Sequence, residues 1–313
     1  MGIYYFGEIL KRYRESLGMT QEMLSEGICS PQTVSRIENG RQKPGRAISR
    51  QMMERLGKEK GRGYAIVPMG DAQVQEEIQR YEDLMEKGEY KAADRIIRKL
   101  EGVFGDTPAH RQYILGGKAH IGWKLRQITG EEGRAMLWEA LGLSVPNPMQ
   151  QELSRYPWIG HELLLLYGIA DSYYGEGKYQ EAVSMLEGIY CGLGSGYRIP
   201  GQGQKIELMV MERLMGAYGK LGQYRKALGY AERGIEASRQ EKSSERFVPF
   251  LEGKAQNMEH LLELGEAGEF SWEDYKEALR QAIAIASALG KKKQKKRMQK
   301  HYQERFGEEP WWL

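Results

Sequence analysis

A chain of 313 residues, 28% charged and 41% hydrophobic, has the length of roughly two domains and the profile of a globular protein that needs neither disulfides nor metals to fold. Its two cysteines, Cys29 and Cys191, exclude a disulfide framework, and no apolar run approaches the roughly 18 residues that span a bilayer. The net charge of +3 is unevenly spread: residues 1–60 carry 11 Lys/Arg against 7 Asp/Glu, residues 61–289 carry 27 against 33, and residues 290–313 carry 8 against 3. A basic head, an acidic body and a basic tail raise the expectation of a nucleic-acid partner. The opening MGIYYFGEILKRYRES has no long apolar stretch after a basic one, so no signal peptide is expected and the chain is expected to be cytoplasmic, with no membrane partner.

In chain order, the first 57 residues break into short helices. Ile9, Leu10, Tyr13 and Leu17 share one apolar face, and Gly18 ends that helix. Thr20 is placed as the N-cap of a helix over Gln21–Glu26, since its hydroxyl can accept a free N–H of the first turn. Gly27-Ile28-Cys29 makes a tight turn, Ser30 caps the next helix, and Pro31 takes its first position, where a missing N–H costs nothing. That helix runs through Thr33, Val34, Arg36 and Ile37 to the stop signal Asn39-Gly40, with Val34 and Ile37 as core. A further amphipathic helix covers about Arg46 to Leu56. The Gly-rich residues 58–71 read as a linker; they contain Tyr64-Ala65-Ile66-Val67, the single stretch with strand character.

From residue 72 the chain repeats itself at helical periodicity. Tyr173-x3-Gly177-x-Tyr179-x2-Ala182 matches Tyr218-x3-Gly222-x-Tyr224-x2-Ala227 position for position, and Gly88-x-Tyr90-x2-Ala93 keeps the second half. The glycine makes the turn between two helices and the alanine lets them approach. Gly177 and Gly222 are 45 residues apart, and Gly88 and Gly177 are 89 apart, about twice that, so a degenerate unit is expected over Tyr113–Leu143. A final unit fits Leu261, Leu264, Gly268, Tyr275, Ala278 and Ala282. Such spacing is the signature of stacked helical hairpins, and the fold class expected is all-α.

Two resemblances rest on these residues. Thr20-Gln21-Glu22-x-Leu24-Ser25, then Ser30-x2-Thr33-Val34-Ser35-Arg36-Ile37-Glu38-Asn39-Gly40-Arg41 and Pro44, resemble the XRE-type, lambda-repressor-like helix-turn-helix, with a turn one residue shorter than in the phage repressors. The body resembles tetratricopeptide repeats, with a period of about 45 where the standard repeat has 34. The combination resembles the Rgg/PlcR-type (RRNPP) regulators, which sense short signalling peptides in Gram-positive bacteria. The domains expected are therefore a helix-turn-helix over 1–57, a linker over 58–71, a repeat superhelix over 72–290, and a capping helix with tail over 291–313.

The helix-turn-helix resemblance implies that the second helix crosses the phosphate backbone and the third enters the major groove. Gln21, Ser30, Ser35, Arg41 and Lys43 are then candidates for phosphate contacts, which set register without reading sequence. Gln32, Thr33 and Arg36 project from the exposed side of the third helix, and Gln32 and Arg36 are the expected specificity pair, for adenine and guanine respectively. One module makes few contacts, so a homodimer on an inverted repeat in double-stranded DNA is expected, with the repeats as the dimerisation element.

Stacked hairpins should curve so that each unit's first helix lines a concave face. With the tyrosines as reference, Tyr167, Asp171 and Tyr174 face it in one unit, Glu212 and Lys220 in the next, and Asn257 in the last, with His120 and Lys124 from the degenerate unit. Aromatics with mixed charges suit the backbone of an extended peptide. Relatives that the resemblance brings in often use asparagines for this, and of Asn39, Asn147 and Asn257 only Asn257 is suitably placed. In the tail, Lys291-Lys292-Lys293-Gln294-Lys295-Lys296-Arg297 invites a nucleic-acid reading, but Met298, Tyr302 and Phe306 recur at four-residue spacing, which favours a cap with a basic wet face. Trp311, Trp312 and Leu313 are expected to pack back or onto a partner chain.

Enzyme chemistry finds no support. Gly192, Gly194 and Gly196 lack the preceding strand of a dinucleotide loop and read, with Pro200-Gly201-Gln202-Gly203, as a loop. No GxxxxGK[ST] or HExxH motif occurs, the five histidines are scattered, and neither cofactor nor metal is expected. The function expected is a sequence-specific transcription regulator whose repeats dimerise and bind a short peptide. The alternative is a constitutive DNA-binding adaptor whose repeats recruit another protein.

Overall fold

Side-chain caps set the helix boundaries at the start of the chain. The computed structural model describes residues 6–42, 44–56, 72–104, 106, 108–156, 158, 160–194, 203–240 and 244–310, and among these there is helix but no strand. The first four helices are α1 (Phe6–Ser16), α2 (Gln21–Ser25), α3 (Pro31–Glu38) and α4 (Arg46–Arg55). Thr20 accepts the Met23 N–H at 3.2 Å and Ser30 accepts the Thr33 N–H at 3.2 Å, each an N-cap worth about 1 kcal/mol. Gly18 and Gly40 close α1 and α3 at φ +64° and +68°, in the left-handed region where only glycine is unstrained.

These four helices enclose Leu10, Leu24, Val34, Ile37, Met52 and Leu56, all buried. Val34 and Ile37 are core as expected, whereas Leu17 is 55% exposed and does not join the apolar face that the spacing assigned to it, because α1 has ended by Ser16. Gly7 permits the packing of α1: a Cβ there would overlap the carbonyl of Ile37 and lie 2.9 Å from Cα of Glu38, so the helix rests directly on the end of α3. The expected linker, 58–71, with its strand-like Tyr64–Val67, lies outside the described residues.

The remaining helices are α5 (Ala72–Lys87), α6 (Tyr90–Val103), α7 (Pro108–Lys124), α8 (Gly130–Gly142), α9 (Gly160–Gly175), α10 (Tyr179–Gly194), α11 (Gly203–Lys220), α12 (Tyr224–Gln240), α13 (Ser244–Glu263), α14 (Trp272–Ala288) and α15 (Lys292–Phe306). Consecutive helices from α5 to α14 are joined pairwise by five short turns, and one backbone device closes each turn. The N–H groups of Glu89, Gln127, Lys178, Gln223 and Glu266 bond to the carbonyls of Leu84, Gly122, Tyr173, Tyr218 and Leu261 at 2.8–3.0 Å. The residue preceding each donor is left-handed: Gly88, Arg126, Gly177, Gly222 and Gly265, with φ from +58° to +79°. This is the C-terminal helix cap closed by a residue in the left-handed region.

The expected degenerate unit is therefore α7–α8, with Arg126 in the glycine's place. In the final unit the turn glycine is Gly265 and not Gly268, which follows in a longer loop. That moves the register: Tyr275, fully buried, stands at the position held by Ala93, Gly133, Ala182 and Ala227 in the other second helices, each the fourth residue of its helix.

The chain divides into two compact units, Met1–Ser172 with Gly192–Gly203, and Tyr173–Cys191 with Gln204–Leu313. In the first unit Ile78, Tyr81, Ala93, Ile97, Leu100, Tyr113 and Ile121 form the core of the first two hairpins. Tyr13 of α1 and Met53 of α4 pack against this core as well as against that of the first four helices, so the head and the first hairpin share side chains. In the second unit the buried side chains include Leu186, Leu214, Phe250, Leu261, Tyr275, Ile283, Met298 and Tyr302.

Candidate nucleic-acid interface and the faces of the repeats

Three internal contacts hold the head's helices at fixed angles. The Arg14 guanidinium bonds Glu38 through Nε at 2.6 Å and Nη2 at 2.9 Å, and its Nη1 reaches the Met19 carbonyl at 2.9 Å. The Glu38 hydrogen bonds, and then its charge, hold Arg14 above the ordinary arginine range against the opposing effect of burial. Arg55 of α4 donates to the Leu24 carbonyl at 3.4 Å and to that of Glu26, satisfying the end of α2. The Arg14–Glu38 and Arg55 contacts join residues 24 to 31 positions apart, which the motif does not connect.

On that frame, α3 exposes Gln32 and Arg36, one turn apart on one face, and Arg41 lies exposed just beyond its end. None of the three side chains forms a hydrogen bond or ion pair with a described residue. The Ser30 hydroxyl is occupied by capping and lies 3.0 Å from that of Thr33. Ser35 is half-buried, with its carbonyl accepting from Asn39 Nδ2 at 2.7 Å. The Gln21 amide turns inward and donates to Glu38 at 2.7 Å, so this side chain braces α2 against α3. Lys43 lies outside the described residues.

In the first unit, α7 and α9 meet through the residues expected on their exposed faces. Lys124 bonds Asp171 at 2.6 Å and lies 4.2 Å from the centre of the Trp123 ring. His120 packs edge-on to Trp123 at 6.1 Å. Tyr167 is 8% exposed, so packing takes up most of its ring. Deeper in this unit Arg134 donates to Ser172 at 2.8 Å, and Gln112, Ser144 and Glu162 form a chain of bonds at 2.8 and 2.7 Å. The His161 ring stacks on Tyr113 at 5.3 Å with its Nε2 sealed from solvent, and burial pushes its pKa down to about 4.

In the second unit, Arg213 lies over the Tyr174 ring at 4.5 Å, Glu212 pairs with Arg246 at 2.7 Å, and Lys220 is exposed. Asn257 is 6% exposed and donates to the Gly253 carbonyl at 2.7 Å. Helical spacing points to Glu212 and Tyr174 but not to Arg246 and Arg213, which hold them. At the end of this unit Met298 and Tyr302 of α15 are buried and Phe306 is half-buried, as the four-residue spacing required. Arg297 bonds Glu252 through two nitrogens at 2.8 and 2.6 Å, His301 lies 2.8 Å from Glu259, and Arg305 reaches Glu263 at 2.8 Å. The tail's Trp311, Trp312 and Leu313 lie outside the described residues, as do Gly196 and residues 200–202, whereas Gly192 and Gly194, expected in a loop, belong to the last turn of α10, and Gly203 begins α11.

Cys29 is half-buried, which raises its thiol pKa, and Cys191 is exposed. Among the described residues no group of His, Cys, Asp or Glu could hold a metal ion, and no helix is long and apolar enough to cross a membrane.

Residues 10–60 match the helix-turn-helix family model. No curated protein matches the chain in sequence. Among solved structures the chain is similar to Bacillus thuringiensis PlcR in complex with the peptide PapR7 and DNA, at 18% identity and a TM-score of 0.62 over 94% of this chain and 98% of that one. It is similar to the apo form of the same protein at 16% identity and a TM-score of 0.60 over 93% and 98%. The apo competence regulator ComR from Streptococcus vestibularis matches at 14% identity and a TM-score of 0.52 over 95% and 96%. At these identities the likeness is one of fold: a helix-turn-helix followed by tetratricopeptide-like hairpins.

Proposed function

We propose that this chain is a DNA-binding transcription regulator that acts as a homodimer on an inverted repeat and answers to a short peptide held by its repeats. The observation that carries the first part is the pairing of Gln32 and Arg36: both are exposed and uncommitted, one turn apart on a helix whose start is fixed by Ser30 and Pro31. Four residues of helix advance about 6 Å, close to two base-pair steps, so the two side chains can address bases about two steps apart in the major groove. Gln32 can bond adenine N6 and N7, and Arg36 can bond guanine O6 and N7. Arg41 and Lys43 supply positive charge to phosphates past the end of α3, with Ser30, Thr33 and Ser35 contributing polar atoms beside them. Gln21 takes part through the N–H groups at the start of α2, because its amide is turned to Glu38.

The fold likeness to PlcR, whose solved complex holds both PapR7 and DNA, supports the same division of labour here. In the first unit Tyr167, Asp171 and its partner Lys124 form the ligand-facing side of the first helices. In the second, Tyr174, Glu212, Lys220 and Asn257 do so, with Arg213 beside Tyr174. For a peptide to regulate DNA binding it must bind one arrangement of the dimer better than another.

The test is selection of duplexes from a random pool by the full chain, followed by footprinting. An inverted repeat with half-sites about one helical turn, or a multiple of it, apart supports the reading. A single unpaired half-site bound by a monomer refutes the dimer. Synthetic peptides are then screened by thermal shift, since a ligand of the folded state alone must raise the melting temperature. Peptide hits that leave operator affinity unchanged favour the adaptor.

A further inference from the structure

The cations of α15 are sorted by face. Met298, Tyr302 and Phe306 point into the second unit. Next to them around the helix Arg297, His301 and Arg305, again four residues apart, meet Glu252, Glu259 and Glu263 of α13. Lys295, on the other flank, donates to the Ser287 hydroxyl at 3.0 Å. The remaining arc carries Lys292, Lys293, Lys296 and Lys300, with Gln303 and Glu304 among them, all exposed, and half-buried Gln299 at its margin. Lys292, Lys293 and Lys296 form no ion pair with a described residue. Lys300 lies 3.5 Å from Glu304, with both side chains well exposed, and such a pair is worth little in water. Capping therefore uses the apolar face and the Arg/His face and leaves the lysine face unused.

That face has a specific chemistry. Its lysines at four-residue spacing form a row of positive charges about 6 Å apart. It carries no aromatic ring to stack on a base and no large apolar side chain to enter a bilayer. Lysine is a compact point charge without arginine's planar fork, so a row of lysines favours phosphates over the oriented pairing of base edges. The ion pairs and buried tyrosine beneath it hold the row straight, which limits the ordering cost of meeting a regular polyanion.

We infer that the lysine face of α15 is a sequence-independent contact for the phosphate backbone of double-stranded DNA. The choice of DNA among polyanions rests on the proposed function. The inference adds a second, non-reading surface to the chain's DNA contacts and needs no assumption about where the head lies.

The experiment measures binding of the full chain to a fluorescent random-sequence duplex of about 30 base pairs, room for two half-sites, across a salt series. Three proteins are compared: the unaltered chain, a variant with Lys292→Gln, Lys293→Gln, Lys296→Gln and Lys300→Gln, and a head variant with Arg36→Ala and Arg41→Gln. Removing one lysine–phosphate interaction should reduce the slope of log K against log salt by roughly 0.9, so the lysine variant should lose a slope of about 2 to 4. Its melting temperature should stay nearly unchanged, since these side chains make at most the weak exposed Lys300–Glu304 pair; Lys296→Glu alone is a second variant with the same expected direction.

A lysine variant with the slope and affinity of the unaltered chain overturns the inference, as does an unaltered chain that does not bind this duplex. Binding reduced by the lysine variant but not by the head variant leaves the inference standing and refutes the reading of the head. If only phosphatidylserine vesicles, and not the duplex, distinguish the lysine variant, the face is a membrane contact and the inference fails.

Discussion

Arg14 and Glu38, 24 residues apart, bond through two nitrogens and two oxygens with side chains only 9% and 1% exposed. This pair joins α1 to the last residue of α3, and Gln21 attaches α2 to the same carboxylate. Removing one partner strands a buried charge. Arg14→Ala or Glu38→Ala should each cost about 3–5 kcal/mol in urea unfolding, while Arg14→Met with Glu38→Leu should recover most of that. A double variant as unstable as the singles would show that the pair's hydrogen bonds, and not the stranded charge, set the cost.

Gly7 supports the same helix. A methyl group there would overlap the Ile37 carbonyl, so Gly7→Ala must push α1 away from α3. Overpacking of this kind costs about 1–3 kcal/mol, here against the better helix propensity of alanine. The thermal midpoint should fall, and operator affinity should fall further than stability alone explains. An unchanged midpoint would mean that α1 adjusts freely.

At the DNA surface, Gln32→Ala and Arg36→Ala should each reduce discrimination at one base position by about 1–3 kcal/mol. Arg41→Gln should weaken all sequences alike and lower the salt slope by about 1. These outcomes are read by competition between the selected operator and single-base variants of it. Equal losses on every duplex for Arg36→Ala would reassign that residue to the backbone.

His161 gives a pH dependence with a definite sign. Its folded pKa is near 4 and its unfolded pKa near 6.5, so in this window the unfolded chain binds more protons. Stability from this group is complete above about pH 6.5 and is lost as pH falls toward 4, by at most about 3 kcal/mol. Unfolding curves from pH 7 to 4 should show the loss, and His161→Phe should reduce it while preserving the stack on Tyr113.

The cap on the second unit is equally testable. Tyr302 is fully buried, and its hydroxyl accepts from Arg280 at 2.8 Å and donates to Glu308 at 2.9 Å. Tyr302→Ala should cost about 3–5 kcal/mol, and Tyr302→Phe much less. Hydrogen exchange should report the loss in α14 and α15 first.

What could be read from the sequence was local. Thr20, Ser30 and Pro31 act within three residues of themselves, so their roles were legible, and so was the α15 stripe of Met298, Tyr302 and Phe306. The α7–α8 hairpin was legible as a spacing and not as a motif, because its turn places Arg126 where a glycine would be expected. The last hairpin was misaligned because Gly265 and Gly268 are both left-handed and only Gly265 precedes the donor that closes the turn. Of the site, the exposed Gln32 and Arg36 followed from the motif. Arg14–Glu38, Lys124–Asp171, Arg213–Tyr174 and Arg246–Glu212 did not, since each joins helices whose approach no local pattern encodes.

The cap shared by all five turns has a consequence for how such proteins are recognised. Its bond runs between backbone atoms, so a copy that loses its glycine, as at Arg126, bears a modest local strain and keeps its shape. Three turns here can be found by matching letters and five by following the backbone. Counts of repeats taken from letters alone therefore run low wherever a turn, as at Arg126, has no glycine.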